Sequence, residues 1–209
     1  MLRILAFAEG DVPVALRRQV RAAQEEAWPS ATEAEAASLA PQHDPALHPR
    51  SLILLEGDAV LSALDVLSTR IEHAGSAWAA SGLSSVVTPS AHRGRGHARE
   101  LVSQARVMLV EQVDIVEPVG NAERFGPRAD VVLFTCDRPL QGFYEACGFE
   151  VLPGTVLVGG TPQDPFPSDG PGMDTVTLGA FVTPAAVRAR GRFVGARIGL
   201  YSGPIDRLW

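Results

Sequence analysis

The residue types that can do chemistry concentrate in one short run, Arg93-Gly94-Arg95-Gly96-His97-Ala98. Two arginines bring positive charge, and two glycines without a Cβ let the backbone come close to a bulky anion. The run follows Gly82 to Thr88, which reads as a strand, through the turn Pro89-Ser90-Ala91-His92. It precedes Leu101, Ala105, Met108 and Leu109, spaced as one face of a helix. A helix N-terminus at this point offers unpaired N–H groups at the positive end of a dipole. The chemistry this predicts is phosphate binding. A P-loop needs Lys-Ser/Thr after its last glycine, and none follows Gly96. The dinucleotide fingerprint wants a small residue where Arg99 stands. On the residues alone, a plain strand-turn-helix with a solvated arginine cluster stays open.

Other reactive types are scattered. Cys136 and Cys147 have no recognisable histidine partner in sequence, so they read as buried core thiols rather than nucleophiles. His43 and His48 share no ligand spacing with a cysteine or a third histidine, and are expected as loop residues. No metal site is expected.

The elements that must position these residues follow the chain in order. Leu2 to Phe7 reads as a first strand. Asp11 is placed to cap a helix with Pro13 in its first turn and Leu16, Val20 and Ala23 on its inner face, ended by Trp28-Pro29. A second helix is predicted within Ser30 to Ala40, with Ser30 and Glu33 as its capping box. Strands at Ser51 to Leu55, Ala59 to Ile71 and Trp78 to Thr88 form an antiparallel meander. Asp114 to Arg128 is a long irregular connection. Asp130 to Cys136 is a nearly all-apolar strand, as when both sheet faces are covered. A short helix from Pro139 to Cys147 stops at Gly148. Strands near Phe149 to Leu152 and Thr155 to Val158, a loop from Gly159 to Gly172, a strand from Thr175 to Val182 and a helix from Pro184 complete the reading.

With 209 residues, 46% hydrophobic and 20% charged, the chain suits one domain, 1–209, with a core at 51–158 and a C-terminal extension at 159–209. A net charge of −6 argues against nucleic acid as a partner and favours cationic ligands. Two cysteines are too few for a disulfide framework, which fits a reducing cytoplasm. No apolar run is long enough to span a bilayer, so no membrane partner is expected, and the first residues lack the apolar length of a signal peptide.

Arg93, Gly96 and Ala98 fill the three fixed places of the Arg/Gln-x-x-Gly-x-Gly/Ala signature of GCN5-related N-acetyltransferases, which the run resembles. Phe143-Tyr144-Glu145-Ala146-Cys147-Gly148-Phe149 is similar to a second segment of that family. The order of elements from Ser51 to Val158 is also that of the family core. The resemblance implies an α/β (α+β) fold with a mixed, mostly antiparallel central sheet flanked by helices. It implies acetyl-coenzyme A as cofactor, its pyrophosphate held by Arg93 to Ala98, Gly94, Arg95 and His97 included. Val86, Val87 and Thr88 would present backbone groups to the pantetheine arm, with an oxyanion donor at the Val86 N–H. Tyr144 would protonate the leaving thiolate, which an ordinary phenol is able to do near neutral pH.

The general base is where the sequence departs from that pattern. Relatives carry a glutamate on the strand before the phosphate loop, and here Ser84 and Ser85 stand in that stretch. Asp65 and Glu72 on the preceding strand are the candidates, with solvent as the alternative. The carboxyl end resembles that of aminoglycoside 2′-N-acetyltransferases, although Asp206 lies one residue further from Trp209 than expected. By position, Asp174, Asp206 and Trp209, with Asp164 and Asp169, become candidate contacts to a small cationic amine. A non-catalytic acyl-coenzyme A sensor and a protein or peptide N-acetyltransferase are the alternatives. The expected partner is a small-molecule amine, and a homodimer is a candidate assembly.

Overall fold

A computed structural model describes residues 1–111 and 128–200, together with the backbone of Glu117–Pro118. Strand β1 (Leu2–Ala8) leads through a single 3-10 turn, Glu9–Asp11, into α1 (Val14–Ala27). Pro13 occupies the cap position of α1, and Asp11 makes no capping bond. The α2 helix (Glu33–Ala37) is capped by Thr32, whose hydroxyl accepts from the Glu35 N–H while Glu35 reaches back to the Thr32 N–H. The expected Ser30/Glu33 box is displaced by two residues because Ser30 bonds Glu25 at the end of α1 instead.

The strands β2 (Arg50–Glu56), β3 (Ala59–His73) and β4 (Ser76–Val87) form the predicted antiparallel meander, and β1 adds to its edge. The two-residue β5 (Glu117–Pro118) runs parallel to β1. After α3 (His97–Glu111), β6 (Val131–Asp137) pairs parallel with β4. The short α4 (Gln141–Ala146) leads to β7 (Glu150–Val151). Then β8 (Val156–Gly160), close to the expected strand, forms a hairpin with β9 (Pro165–Pro167), which falls where a loop was expected. The chain returns through β10 (Thr175–Phe181), α5 (Pro184–Ala189) and β11 (Arg197–Gly199). The main sheet has the order β5-β1-β2-β3-β4-β6-β10-β7, and β11-β8-β9 forms a second, three-stranded sheet. The fold is therefore a mixed, mostly antiparallel sheet flanked by helices. That sheet draws on β1 and β10, so it extends beyond the expected 51–158 core at both ends.

The strand period of two sorts side chains onto two faces. Leu52, Leu54, Leu64 and Val66 pack against Leu101, Ala105 and Met108 of α3 and against Tyr144 of α4. Ile53, Ala63 and Val87 face the other way, with Leu16, Val20 and Ala23 of α1. Further along that second side, Leu67, Ile71 and Trp78 meet Phe193 and Ala186 of the C-terminal region.

Two irregularities in β4 set up the site. Its register with β3 shifts, so that Asp65 faces Ser84 while Ala63 faces Val87, leaving Ser85 and Val86 as a bulge. Ser85 takes a left-handed backbone, φ 52°, the conformation that the first residue of a G1-type bulge adopts. On the other side β4 pairs with β6 only at Ala80↔Val131 and Ser81↔Val132. Beyond these pairs the two parallel strands separate, and the β6 edge of residues 82–87 is open.

Candidate active site

The gap between β4 and β6 opens into a cleft of about 560 Å³, a size suited to a small-molecule ligand. The end of β4, the Arg93–Ala98 loop and α4 form its walls. Gly94 and Gly96 have φ of 74° and 84°, and a Cβ on either would meet nothing within 4 Å. The glycines thus serve backbone conformation and an open surface, not packing against protein. The first bond into α3 runs from the Glu100 N–H to the Gly96 carbonyl, so the helix directs its leading N–H groups at the cleft mouth.

Arg93 does two structural jobs. Its Nε donates to the Thr88 carbonyl at 3.0 Å, closing the turn, and its Nη2 lies 3.9 Å from Glu26 on α1. Glu26 also accepts from the Ser90 N–H at 2.9 Å, which holds its carboxyl below the usual range. The loop is thereby tied to α1. Val86, Thr88, Arg93, Gly94, Gly96, His97 and Ala98 line the cleft as the sequence led one to expect. Val87 turns its side chain into the core beneath α1, and Arg95 is exposed beside the loop without lining the cleft. His92, Arg99, Leu140 and Phe143 line it as well. Spacing gave no signal for His92 or Leu140. Arg99 was legible as the third arginine of the run.

Tyr144 reaches the cleft from α4 while 94% of its surface is buried, its relative exposure being 6%. Its ring meets Phe134 and Phe143 edge-on, at 5.1 and 4.9 Å between centroids. Burial, then the nearby Cys136 and Cys147 thiols and Asp137, push the phenol well above its ordinary pKa. It holds its proton at neutral pH. The turn after α4 depends on Gly148, φ 91°, whose carbonyl accepts from Arg106 Nε at 2.7 Å. A Cβ at Gly148 would sit 2.9 Å from that same nitrogen. Cys136 and Cys147 are buried, and burial pushes Cys136 up to about 11 and Cys147 in the same direction. Both rest as thiols, matching the core role expected of them.

A second, smaller cavity, about 40 Å³, lies across the sheet beneath α1. Glu9, Gln24, Ser51, Asp65 and Ser85 are among its lining. Asp65 is 6% exposed. Its Oδ1 accepts from the Ser51 hydroxyl at 2.5 Å, and its Oδ2 is 3.1 Å from His43 Nε2. His43 lies in a loop as expected, but it is turned inward and only 4% exposed. Its backbone N–H and that of Gln42 donate to the Glu9 carboxylate at 3.4 and 2.6 Å. Glu9 is pushed above the usual carboxylate range, chiefly by burial. Neither Glu9 nor His43 carried a signal in the sequence, since each acquires its role only when strands distant in sequence pair.

The remaining candidates among the described residues are not brought to either cavity. Glu72 is exposed near the far end of the β3–β4 hairpin, opposite Ala77. Asp174 pairs with Arg138 at 2.6 Å and Asp169 with Arg197 at 2.8 Å, all on the surface. Asp164 lies at the β8–β9 turn. Asp206 and Trp209 fall outside the described residues. Among the described residues no group of three His, Cys, Asp or Glu is arranged to hold a metal ion, and no helix is long and apolar enough to cross a membrane.

Among curated proteins, none matches the sequence. Solved structures match in fold. An acyl-CoA N-acyltransferase from Pseudomonas aeruginosa is 14% identical with a TM-score of 0.51, over 86% of this chain and 99% of the other. ElaA of Escherichia coli is 14% identical with a TM-score of 0.54, over 86% and 99%. A Bacillus subtilis acetyltransferase in complex with CoA is 14% identical with a TM-score of 0.51, over 88% and 100%. Residues 12–114, from the start of α1 to the end of α3, match the family model of the acetyltransferase (GNAT) domain. This stretch, just under half of the chain, takes in the meander, the β4 bulge and the glycine loop, and is what the chain shares with acetyltransferase (GNAT) domains.

Proposed function

We propose that the protein transfers an acetyl group from acetyl-coenzyme A directly to the nitrogen of a small primary amine. The observation that carries this reading is the parting of β4 from β6 beside the Arg93–Ala98 loop, with Tyr144 in the same cleft. The open edge of β4 accepts an extended pantetheine arm as an added strand would be accepted. The N-terminus of α3 and its two left-handed glycines suit a pyrophosphate. The bulge residue Val86, without a cross-strand partner, is placed to offer its N–H to the thioester oxygen as negative charge develops there. Tyr144 gives its proton to the departing sulfur. A raised phenol pKa does not disqualify it, because the thiolate forms in the same dry surroundings and is itself made more basic by them.

A polyamino sugar is the narrower acceptor that the carboxyl end suggested. The acids Asp169 and Asp174 that were to attract it are matched by Arg197 and Arg138, and neither lines either of the two cavities described above. What supports a small amine instead is the small cavity across the bulge, where the Asp65 carboxylate is held by Ser51 and His43. Thiol release from acetyl-coenzyme A, measured against simple alkylamines, polyamino sugars and a peptide with a free N-terminus, tests the reading. Release with the alkylamine above the rate without acceptor is the expected result. Tight binding of acetyl-coenzyme A with no release to any amine would leave a sensor.

A further inference from the structure

We propose that Asp65, held in place by His43 and Ser51, accepts the proton of the acceptor amine, and that the cavity it lines receives the aminomethyl end of that amine. The inference rests on the acetyl-transfer reading above. The two cavities lie on opposite sides of the sheet, and the bulge is the wall between them. Ser85 lines the small cavity and the next residue, Val86, lines the large cleft. Asp65 faces Ser84, directly before that wall. Asp65 and Val86 therefore stand on either side of the same bulge, on the stretch of β4 beyond its pairing with β6.

The carboxylate is built for the task. Both of its oxygens are pinned, by the Ser51 hydroxyl and by His43 Nε2, so it has one orientation. The side chains of Asp65 and His43 are 9% and 0% exposed, so the contact is shielded from bulk water. Arg17 and Arg21 also line this cavity, with most of their donors turned to other partners and the buried Arg21 Nε left without one. Arg17 donates to the carbonyls of Leu39, Glu9 and Val12, and Arg21 to Glu25, Ser30 and the Glu35 carbonyl. Glu9 and Asp65 line this cavity together with Arg17 and Arg21, so its formal charges balance, and the pull on a protonatable guest is local to the Asp65 carboxylate. About 40 Å³ admits a CH₂–NH₂ end and excludes a sugar ring.

The step balances. The amine enters as the free base, and its lone pair forms the C–N bond at the thioester carbonyl carbon. The nitrogen turns positive as that bond forms, and its proton passes to the Asp65 carboxylate. The C–S bond breaks with its electron pair on sulfur, which takes the proton of Tyr144. Products are the N-acetyl amine and the free thiol. The Asp65 acid and the Tyr144 phenolate are then restored by one proton exchanged through solvent. Asp65 is the catalytic residue and His43 a positioning residue.

The test uses the full chain, n-butylamine as the acceptor, calorimetry of acetyl-coenzyme A, and thiol release. If the wild-type protein does not bind acetyl-coenzyme A, the acetyl-transfer reading falls, and this inference with it. If it binds but does not acetylate n-butylamine, this inference alone is overturned. With both in place, Asp65→Asn keeps the acetyl-coenzyme A Kd and the melting temperature within error and lowers kcat by roughly 10²-fold or more. His43→Leu lowers kcat at least tenfold, and His43→Gln, which keeps a donor for Asp65, recovers most of that loss. Unchanged kcat in Asp65→Asn, or equal losses in His43→Gln and His43→Leu, would overturn the assignment.

Discussion

At the residue scale the site turns on a phenol whose surroundings are apolar. Tyr144 is wedged between Phe134 and Phe143 and kept protonated by burial. Removing the hydroxyl alone isolates its chemical part from its packing part. Tyr144→Phe is expected to lower turnover by roughly 10²-fold with little change in acetyl-coenzyme A affinity. Single-turnover thiol release checks this, and an unchanged rate would return Tyr144 to the role of a core aromatic. The tyrosine and the glycine loop were legible because they form short contiguous motifs. His43 was not. Its partner Asp65 is 22 residues away in sequence, and a histidine in a Pro-rich stretch looks solvated until β2 and β3 pair beside it. Glu72 misled for the converse reason. It lies on the right strand but seven residues from Asp65, at the wrong end of a long hairpin.

At the element scale the decisive feature is one extra residue in β4. Strand periodicity predicts the strand and its neighbours well. It does not show where a bulge falls, because Ser84, Ser85 and Val86 suit regular pairing equally well. The bulge follows from the demands of the fold: it points Val86 at the cleft while Val87 packs under α1. Ser85 holds a left-handed backbone that costs an L-residue about 1–2 kcal/mol. Ser85→Gly should therefore match or exceed the wild type in urea denaturation. Ser85→Val, β-branched at φ 52°, should fall below it by at least ~1 kcal/mol. Identical midpoints for the two variants would show that this conformation is not held in solution. The caps tell a related story. Ser30 was the expected start of α2, but Glu25 takes its hydroxyl at the end of α1, and Thr32 caps the helix instead.

At the scale of the whole molecule, one sheet separates a large cleft from a small polar cavity, and the bulge residues Ser85 and Val86 line one each. The core under α3 and α4 also carries three groups that resist ionisation, Cys136, Cys147 and Tyr144. The sign of their effect is common to all three. Above the ordinary thiol and phenol range the unfolded chain loses protons that the folded chain retains, Cys136 up to about 11, so stability falls as pH rises through this window. Melting temperature should decline from pH 9 toward 11, and less steeply in a Cys136→Ala, Cys147→Ala double variant. Parallel declines would assign the alkaline loss to other groups. The scattered surface acids that promised a polycation site could not be judged from sequence, because their arginine partners come from elements distant along the chain.

The most direct test of the central claim is calorimetric titration of acetyl-coenzyme A into the wild-type protein and Gly96→Asp. The substitution places a negative side chain at φ 84°, at the mouth of the α3 N-terminus, where the surface is open and no protein atom would be displaced. The account predicts saturable binding to the wild type and none measurable to Gly96→Asp, with the variant still melting cooperatively. Equal affinities for the two proteins would contradict it.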